Sequence, residues 1–209
     1  MIKVEVWSDI NCPYCFVGKK NLEKALAQFP RAESVEVEWK SFELDPFANP
    51  PKGSDNIELI AQKYGRDRQW VQGMNQKITE MGRESGIEFH LGRVVPANSL
   101  KAHKLLHLAK FYGIQNEMKE ELLLAKFTRC EDISDDDVLL RVGESLKLDP
   151  DEIDEVLKGS RFEADVRKDE EEAGRMGIRG VPFFVINRTE ALSGAQPPEA
   201  FIEVLESMD

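Results

Sequence analysis

The 209-residue sequence predicts an α/β protein in which a small sheet-bearing domain is split by a large all-helical insertion. Three observations predict this. A strand, a helix and a second strand succeed one another before residue 45. A β signal returns only at Val181-Pro182-Phe183-Phe184-Val185-Ile186. Between them, residues 54–160 carry helical spacing and helix caps with little interruption. The expected organisation is therefore residues 1–53 and 161–209 as one domain, with 54–160 inserted as a helical subdomain packed on the sheet.

Met1 to Trp7 reads as the first strand, with Ile2, Val4 and Val6 on one face and Glu5 on the other. Phe16 to Phe29 has helical spacing, with Leu22, Leu26 and Phe29 on one stripe, and Pro30 stops it. Val35 to Leu44 alternates over ten residues, a second strand. Strand, helix, strand in this order predicts a parallel βαβ unit. A Pro-rich loop, Asp45 to Gly53, leads into the helical section. Asp55 can cap a helix ending near Tyr64-Gly65, with Glu58 three residues on. Asp67 can cap another, with Trp70, Val71, Met74, Ile78 and Met81 as a buried stripe. Gly86 to Pro96 reads as irregular, with a short extended piece at Ile87 to Leu91. Asn98 or Ser99 opens a helix through Tyr112, and Glu117 to Phe127 is helical. Ser134 to Asp137 is a capping box, Asp149-Pro150 starts a further helix, and Ser160 is the expected cap of a charged helix ending near Met176-Gly177. The acids at 135–137 and 169–172 read as solvated caps and faces, since no calcium-loop spacing accompanies them. Asn187-Arg188-Thr189 is a hairpin turn to Glu190-Ala191-Leu192-Ser193. Pro197-Pro198 introduces a last helix that buries Phe201, Ile202, Val204 and Leu205.

Hydrophobic residues make up 41% and charged residues 32%, the balance of a soluble globular protein. A net charge of −11, with no concentrated basic patch, argues against nucleic acid or an anionic membrane as partner. Met1 to Asp9 already reads as a charged strand, without the regions of a signal peptide, and no apolar run is long enough to span a bilayer. The expected location is the cytoplasm. Three cysteines make no disulfide framework, and a cytosolic disulfide is usually transient and catalytic.

The chemistry concentrates at Cys12-Pro13-Tyr14-Cys15, between the first strand and the first helix. Helix-start N–H groups are unpaired and the dipole is positive there, so a Cys12 thiolate would be stabilised, and the thiolate is the nucleophile. Pro13 suits a first turn because the N–H it lacks would be orphaned anyway. A zinc site is disfavoured: Cys130, His90, His103 and His107 do not supply matching ligand spacing, and no metal is expected. Cys130 reads as a bystander thiol and His103 as a packing or capping residue. Gly180-Val181-Pro182 opens the returning strand. A trans peptide is the ordinary state there, since only about 5–6% of X–Pro bonds in folded proteins are cis.

Cys12-Pro13-Tyr14-Cys15 together with Gly177-Ile178-Arg179-Gly180-Val181-Pro182 resembles the thioredoxin superfamily. Trp7-Ser8-Asp9-x-x-Cys12, Pro96-x-Asn98-Ser99-x-x-Ala102-His103 and Ser193-Gly194-Ala195-Gln196-Pro197-Pro198 narrow the resemblance to the DsbA-like proteins of the FrnE type, relatives of the kappa glutathione transferases and 2-hydroxychromene-2-carboxylate isomerases. It extends over essentially the whole chain. The resemblance implies a thioredoxin-like fold with a helical insertion, a cis Pro182, and a thiol–disulfide oxidoreductase, with disulfide isomerase activity compatible with it. Cys12 would then attack and Cys15, more buried, would resolve; Val181 and Pro182 would dock substrate; Pro13 and Tyr14 would tune the pair. It implies no cofactor beyond the redox-active disulfide, protein or small-molecule thiols and disulfides as partners, and glutathione admissible as co-substrate. A dimer is compatible with it. Relatives place a buried carboxylate behind the cysteines, a part for which Glu5 and Asp9 are the candidates here. The rival reading is a glutathione-dependent transferase or isomerase. Asn49-Pro50-Pro51 and Asn98 loosely resemble residues of that glutathione site, but those relatives usually carry serine where this chain has Cys12.

Overall fold

The computed structural model describes residues 1–208. Strand β1 (Ile2–Ser8) pairs in parallel with β2 (Val35–Ser41), Ile2 opposite Val35 and Ser8 opposite Ser41, through the crossover helix α1 (Pro13–Gln28). Strand β3 (Phe183–Ile186) lies antiparallel on the other side of β1, and β4 (Glu190–Ser193) completes the hairpin. The order is β2-β1-β3-β4, so β1 is central and its C-terminal end leads directly into the Cys12 turn.

Side-chain parity decides what covers each face. Ile2, Val4 and Val6 pack with Leu22, Ala25 and Phe29 of α1 and with Phe201 and Leu205 of α9 (Pro198–Glu206). Each of these side chains larger than alanine stabilises by about 1.5–3 kcal/mol when fully buried. The opposite face, with Trp7 and Val185, meets Ala173 of α8 (Glu163–Arg175) and Ile178. Asp169 of α8 ties the layers: its carbonyl accepts from Trp7 Nε1 at 2.9 Å and its Oδ2 from the Ser41 N–H at 2.9 Å.

Between β2 and α8 run α2 (Asn56–Tyr64), α3 (Arg68–Glu84), α4 (Leu100–Phe111), α5 (Gln115–Phe127), α6 (Asp136–Ser145) and α7 (Pro150–Lys158). Leu105, Leu108, Leu122, Leu139, Ile153 and Val156 share one core with Ile10 of the turn after β1. Phe16 and Val17 of α1 pack with Ile78, Phe89, Leu123 and Phe127. The insertion therefore grips the helix that carries the cysteines. Asp55, Asp67, Asp135 and Asp149 cap their helices by accepting first-turn N–H groups.

Six expectations need correction, the first being Asp169, which is buried against β1 and β2 rather than part of a solvated face. Ile87 to Leu91 forms no strand: Ile87 and Phe89 both enter the α3 cluster, the Ile87 and His90 N–H groups go to Gly82 and Phe127 carbonyls, and a 3-10 turn follows at Leu91–Arg93. Strand β2 stops at Ser41 because beyond it the Leu44 N–H turns to Asp9 Oδ2. Helix α8 is entered from Phe162, whose φ of 66° breaks the chain path, so Ser160 is not its cap. Trp70 lies outside the buried stripe, 41% exposed, with its ring against Tyr64 and the Arg66 guanidinium. Glu58 reaches Gln62 and Arg68 and leaves the capping box half made.

Candidate active site

Cys12 is the N-cap of α1 and Pro13 its first residue, so the two cysteines span the first turn. The Cys15 N–H donates to the Cys12 carbonyl at 3.0 Å and the Cys12 N–H to the Asp9 carbonyl at 3.4 Å. The peptide bond Val181–Pro182 is cis, as the resemblance implies. Cys12 Sγ donates to the Val181 carbonyl at 3.4 Å, and the Pro182 carbonyl accepts from the Gly194 N–H at 2.8 Å. Gly18, on the α1 face above this loop, lets the two meet: a Cβ there would lie 3.0 Å from Pro182 Cγ and 3.1 Å from Phe184 Cζ. Thus four of the six sequence-predicted site residues, Cys12, Cys15, Val181 and Pro182, are brought together across the sheet end. Pro13 and Tyr14 sit in the turn itself, Tyr14 36% exposed.

The expected contrast in exposure is smaller than the motif suggests. Cys15 is 0% exposed and Cys12 only 4%, because Val181 covers it. The two thiols titrate as a pair. The hydrogen bond with Cys15, together with burial, pushes the Cys12 thiol well up. Burial also pushes the Cys15 thiol up, but the hydrogen bond from Cys12, the Lys119 charge and the Ser8 hydroxyl outweigh it and bring Cys15 below its ordinary value. The helix start alone assigned the thiolate to Cys12; in the folded chain the interior partners of Cys15 compete for that charge.

Behind the turn lie polar groups from four segments. Asp9 is fully buried and accepts at Oδ1 from the Asn11 N–H, 3.1 Å, and at Oδ2 from the Leu44 N–H, 2.9 Å. His103 of α4, also 0% exposed, places Nε2 3.3 Å from Asp9 Oδ1. Burial pushes the Asp9 carboxyl up, yet His103 and the two backbone N–H groups carry it below the usual range, while burial holds His103 down. His103 is therefore neither a helix cap nor plain packing. Lys119 of α5 is 0% exposed and Lys126 2% exposed; burial pushes both down to about 8. Neither lysine stands out in the sequence, since a lysine on a polar helix reads as solvated.

The other candidates fall elsewhere. Glu5 faces α8, its carboxylate held by Arg188 and near Lys40, so Asp9 is the carboxylate beside the cysteines. Cys130 follows α5 in a left-handed conformation, φ 57°, with its sulfur toward the His90 carbonyl at 3.5 Å. Asn98 Nδ2 reaches the Pro46 and Ala48 carbonyls, both at 3.3 Å, and so holds the loop that contains Asn49-Pro50-Pro51. Asn11 Nδ2 donates to Ala97 O at 2.9 Å, which fixes the insertion to the cysteine turn. Among the described residues no group of three or more His, Cys, Asp or Glu side chains is arranged to hold a metal ion, and no helix is long and apolar enough to cross a membrane.

Comparison with known proteins places this geometry in a family. Residues 3–206 match the model of the DSBA-like thioredoxin domain. The chain is 30% identical to the uncharacterized protein YwbO of Bacillus subtilis (strain 168) over 206 residues, 96% of this chain and 94% of that protein. It is similar to the crystal structure of the probable DsbA oxidoreductase SCO1869 from Streptomyces coelicolor, with a TM-score of 0.91 and 34% identity over 99% of this chain and 89% of that one. The fold is also that of 2-hydroxychromene-2-carboxylate isomerase, TM-score 0.73 and 14% identity, covering 98% and 93% of the two chains.

Proposed function

The chain belongs to the DSBA-like thioredoxin domain family, and from that premise we propose that it is a thiol–disulfide oxidoreductase working through Cys12 and Cys15. The observation that carries this reading is the meeting of the two sulfurs at the start of α1 with the Val181–Pro182 loop, Cys12 Sγ lying 3.4 Å from the Val181 carbonyl. In the reducing direction Cys12, as its thiolate, attacks one sulfur of a substrate disulfide. The substrate S–S bond breaks, a Cys12–substrate disulfide forms, and the first substrate thiolate leaves. Cys15, after giving its thiol proton to the departing substrate thiolate or to solvent, attacks Cys12 Sγ. The Cys12–Cys15 disulfide forms and the second substrate thiolate leaves, so two electrons pass from the protein to the substrate. The oxidising direction is the reverse sequence.

The Val181 N–H donates to no other group among the described residues, so an extended substrate chain could add to it as a short strand. Displacing the Cys12 S–H from the Val181 carbonyl would accompany docking. Protein and small-molecule disulfides, glutathione among them, are the proposed partners. The buried Cys15 argues for dithiol exchange over the isomerase reading, because activating glutathione needs only one group at position 12.

Cys15→Ser tests this directly. The expected result is accumulation of mixed disulfides on Cys12 and at least about a hundredfold loss of dithiol turnover, because no thiol remains to resolve them. Unchanged glutathione-dependent transfer or isomerisation in this variant, with no trapped species, would favour the rival.

A further inference from the structure

Three segments meet around the Cys12 sulfur: the turn at 10–16, the docking loop at 177–183, and residues 194–198, which join that loop where the Gly194 N–H donates to the Pro182 carbonyl at 2.8 Å. The chain has 39 aspartates and glutamates against 28 lysines and arginines, yet these segments hold no carboxylate and a single charged residue, Arg179. Asp9, just before the turn, is buried and committed inward to His103, Asn11 and Leu44. The rim of the site is therefore locally positive on a molecule whose net charge is −11.

Arg179 is exposed, next to Ile178, which is buried with Trp7 and Ala173. On the same side of the sheet, Arg167 of α8 holds Glu43 and Glu170, and Arg188 of the hairpin holds Glu5 and Glu172. The Arg179 side chain has neither an ion pair nor a hydrogen-bond partner among the described residues. Arg175 has none either, but it ends α8, where the helix dipole favours a cation. Arg179 stands two residues before Val181, at most about 7 Å along the backbone. Cys12 Sγ lies 3.4 Å from the Val181 carbonyl, so a substrate cysteine joined to Cys12 comes beside Val181. In an extended substrate chain added to that edge, the residue two places from the cysteine then comes opposite Arg179 and on the same face.

We propose that Arg179 is a specificity-determining residue that selects disulfides carrying a carboxylate within two residues of the reacting cysteine. This rests on the oxidoreductase reading above and names the substrate class of that same site. A guanidinium presents paired N–H donors that match a carboxylate in a bidentate pair. The long-range field of an acidic molecule is screened beyond about 8 Å at physiological ionic strength, so the local charge decides what binds at the rim. The carboxylate has two possible sources: an Asp or Glu side chain of a protein disulfide, or the two free carboxylates that flank the cysteine of oxidised glutathione.

The test is the second-order rate of exchange between the reduced full chain and blocked peptide disulfides that carry Glu, Gln or Lys two residues before or after the cysteine. Oxidised glutathione and its carboxylate ester are run alongside. Wild type is expected to prefer Glu over Lys by about fivefold or more. Arg179→Met lowers that ratio toward one, and Arg179→Glu inverts it. The wild-type preference shrinks between 0.1 M and 1 M salt, as the Debye length falls from about 10 Å to about 3 Å. An arginine with a merely structural role would change all rates together and leave the ratio alone. A charge response on the peptides alone assigns the carboxylate to a protein side chain, and one on glutathione alone assigns it to glutathione; either supports the proposal. Glu-to-Lys and glutathione-to-ester ratios that are the same in wild type and both variants overturn it. No exchange at all with the wild-type chain would instead sink the oxidoreductase reading, a result distinct from exchange that proceeds without charge preference.

Discussion

Glu43 shows at the scale of one residue how the site environment departs from what its sequence neighbours suggest. Its Oε2 pairs with Arg167 at 2.6 Å, yet its Oε1 is buried without a hydrogen bond, and Glu170 and Asp9 add negative charge. Burial outweighs Arg167 and pushes the carboxyl from 4.5 up to about 7. Between those values the native state holds a proton that the unfolded chain has lost, so stability falls as pH rises from 4.5 to 7 and the penalty is complete above 7. Glu43→Gln carries no such titration. Its stability relative to wild type is therefore expected to improve from pH 5 to pH 8, by on the order of 1–3 kcal/mol in urea melts. A difference independent of pH would contradict the burial argument. Residue-scale features of this kind are the least legible in the sequence. The cysteines and Pro182 could be read because their spacing carries chemistry. The Asp9–His103 pair and Lys119 could not, because their partners lie 94 and 111 residues away and polar side chains read as solvated by default.

At the scale of elements, the close approach of α1 to the Val181–Pro182 loop positions the chemistry. Gly18 makes it, since an added Cβ would meet Pro182 at 3.0 Å and Phe184 at 3.1 Å, both on the returning β segment. Gly18→Ala would have to displace either the helix or the loop. A stability loss of about 1–3 kcal/mol is expected, with slower disulfide exchange because Cys12 and Val181 separate. Unfolding curves and turnover on one preparation measure both, and wild-type values for both would show that the loop yields freely. Elements themselves were largely legible. Alternation marked β1 and β2, and aspartates marked four helix starts, because these signals are local. The misplaced ends have non-local causes: Asp9 captures the chain after β2, and Ile87 and Phe89 alternate into a helical cluster that offers no strand to pair with.

Over the whole molecule, a thioredoxin-like fold with a helical insertion places the cysteine helix between the sheet and the insertion. One side supplies the Val181–Pro182 edge, and the other supplies His103 and Lys119 behind the sulfurs. The strand–helix–strand start and the late return of β structure carried this architecture in the sequence. The sequence did not carry which insertion residues turn inward, since that depends on how α4 and α5 seat against β1. The central claim is that Cys12 and Cys15 form one reversible redox centre. Equilibrating the full chain with dithiol–disulfide buffers over about −120 to −300 mV, and counting free thiols at each potential, tests it most directly. A single two-electron transition that disappears in Cys15→Ser and leaves Cys130 free throughout is the predicted result. Two thiols at positions 12 and 15 that stay reduced, or never pair with each other, across that range would contradict it.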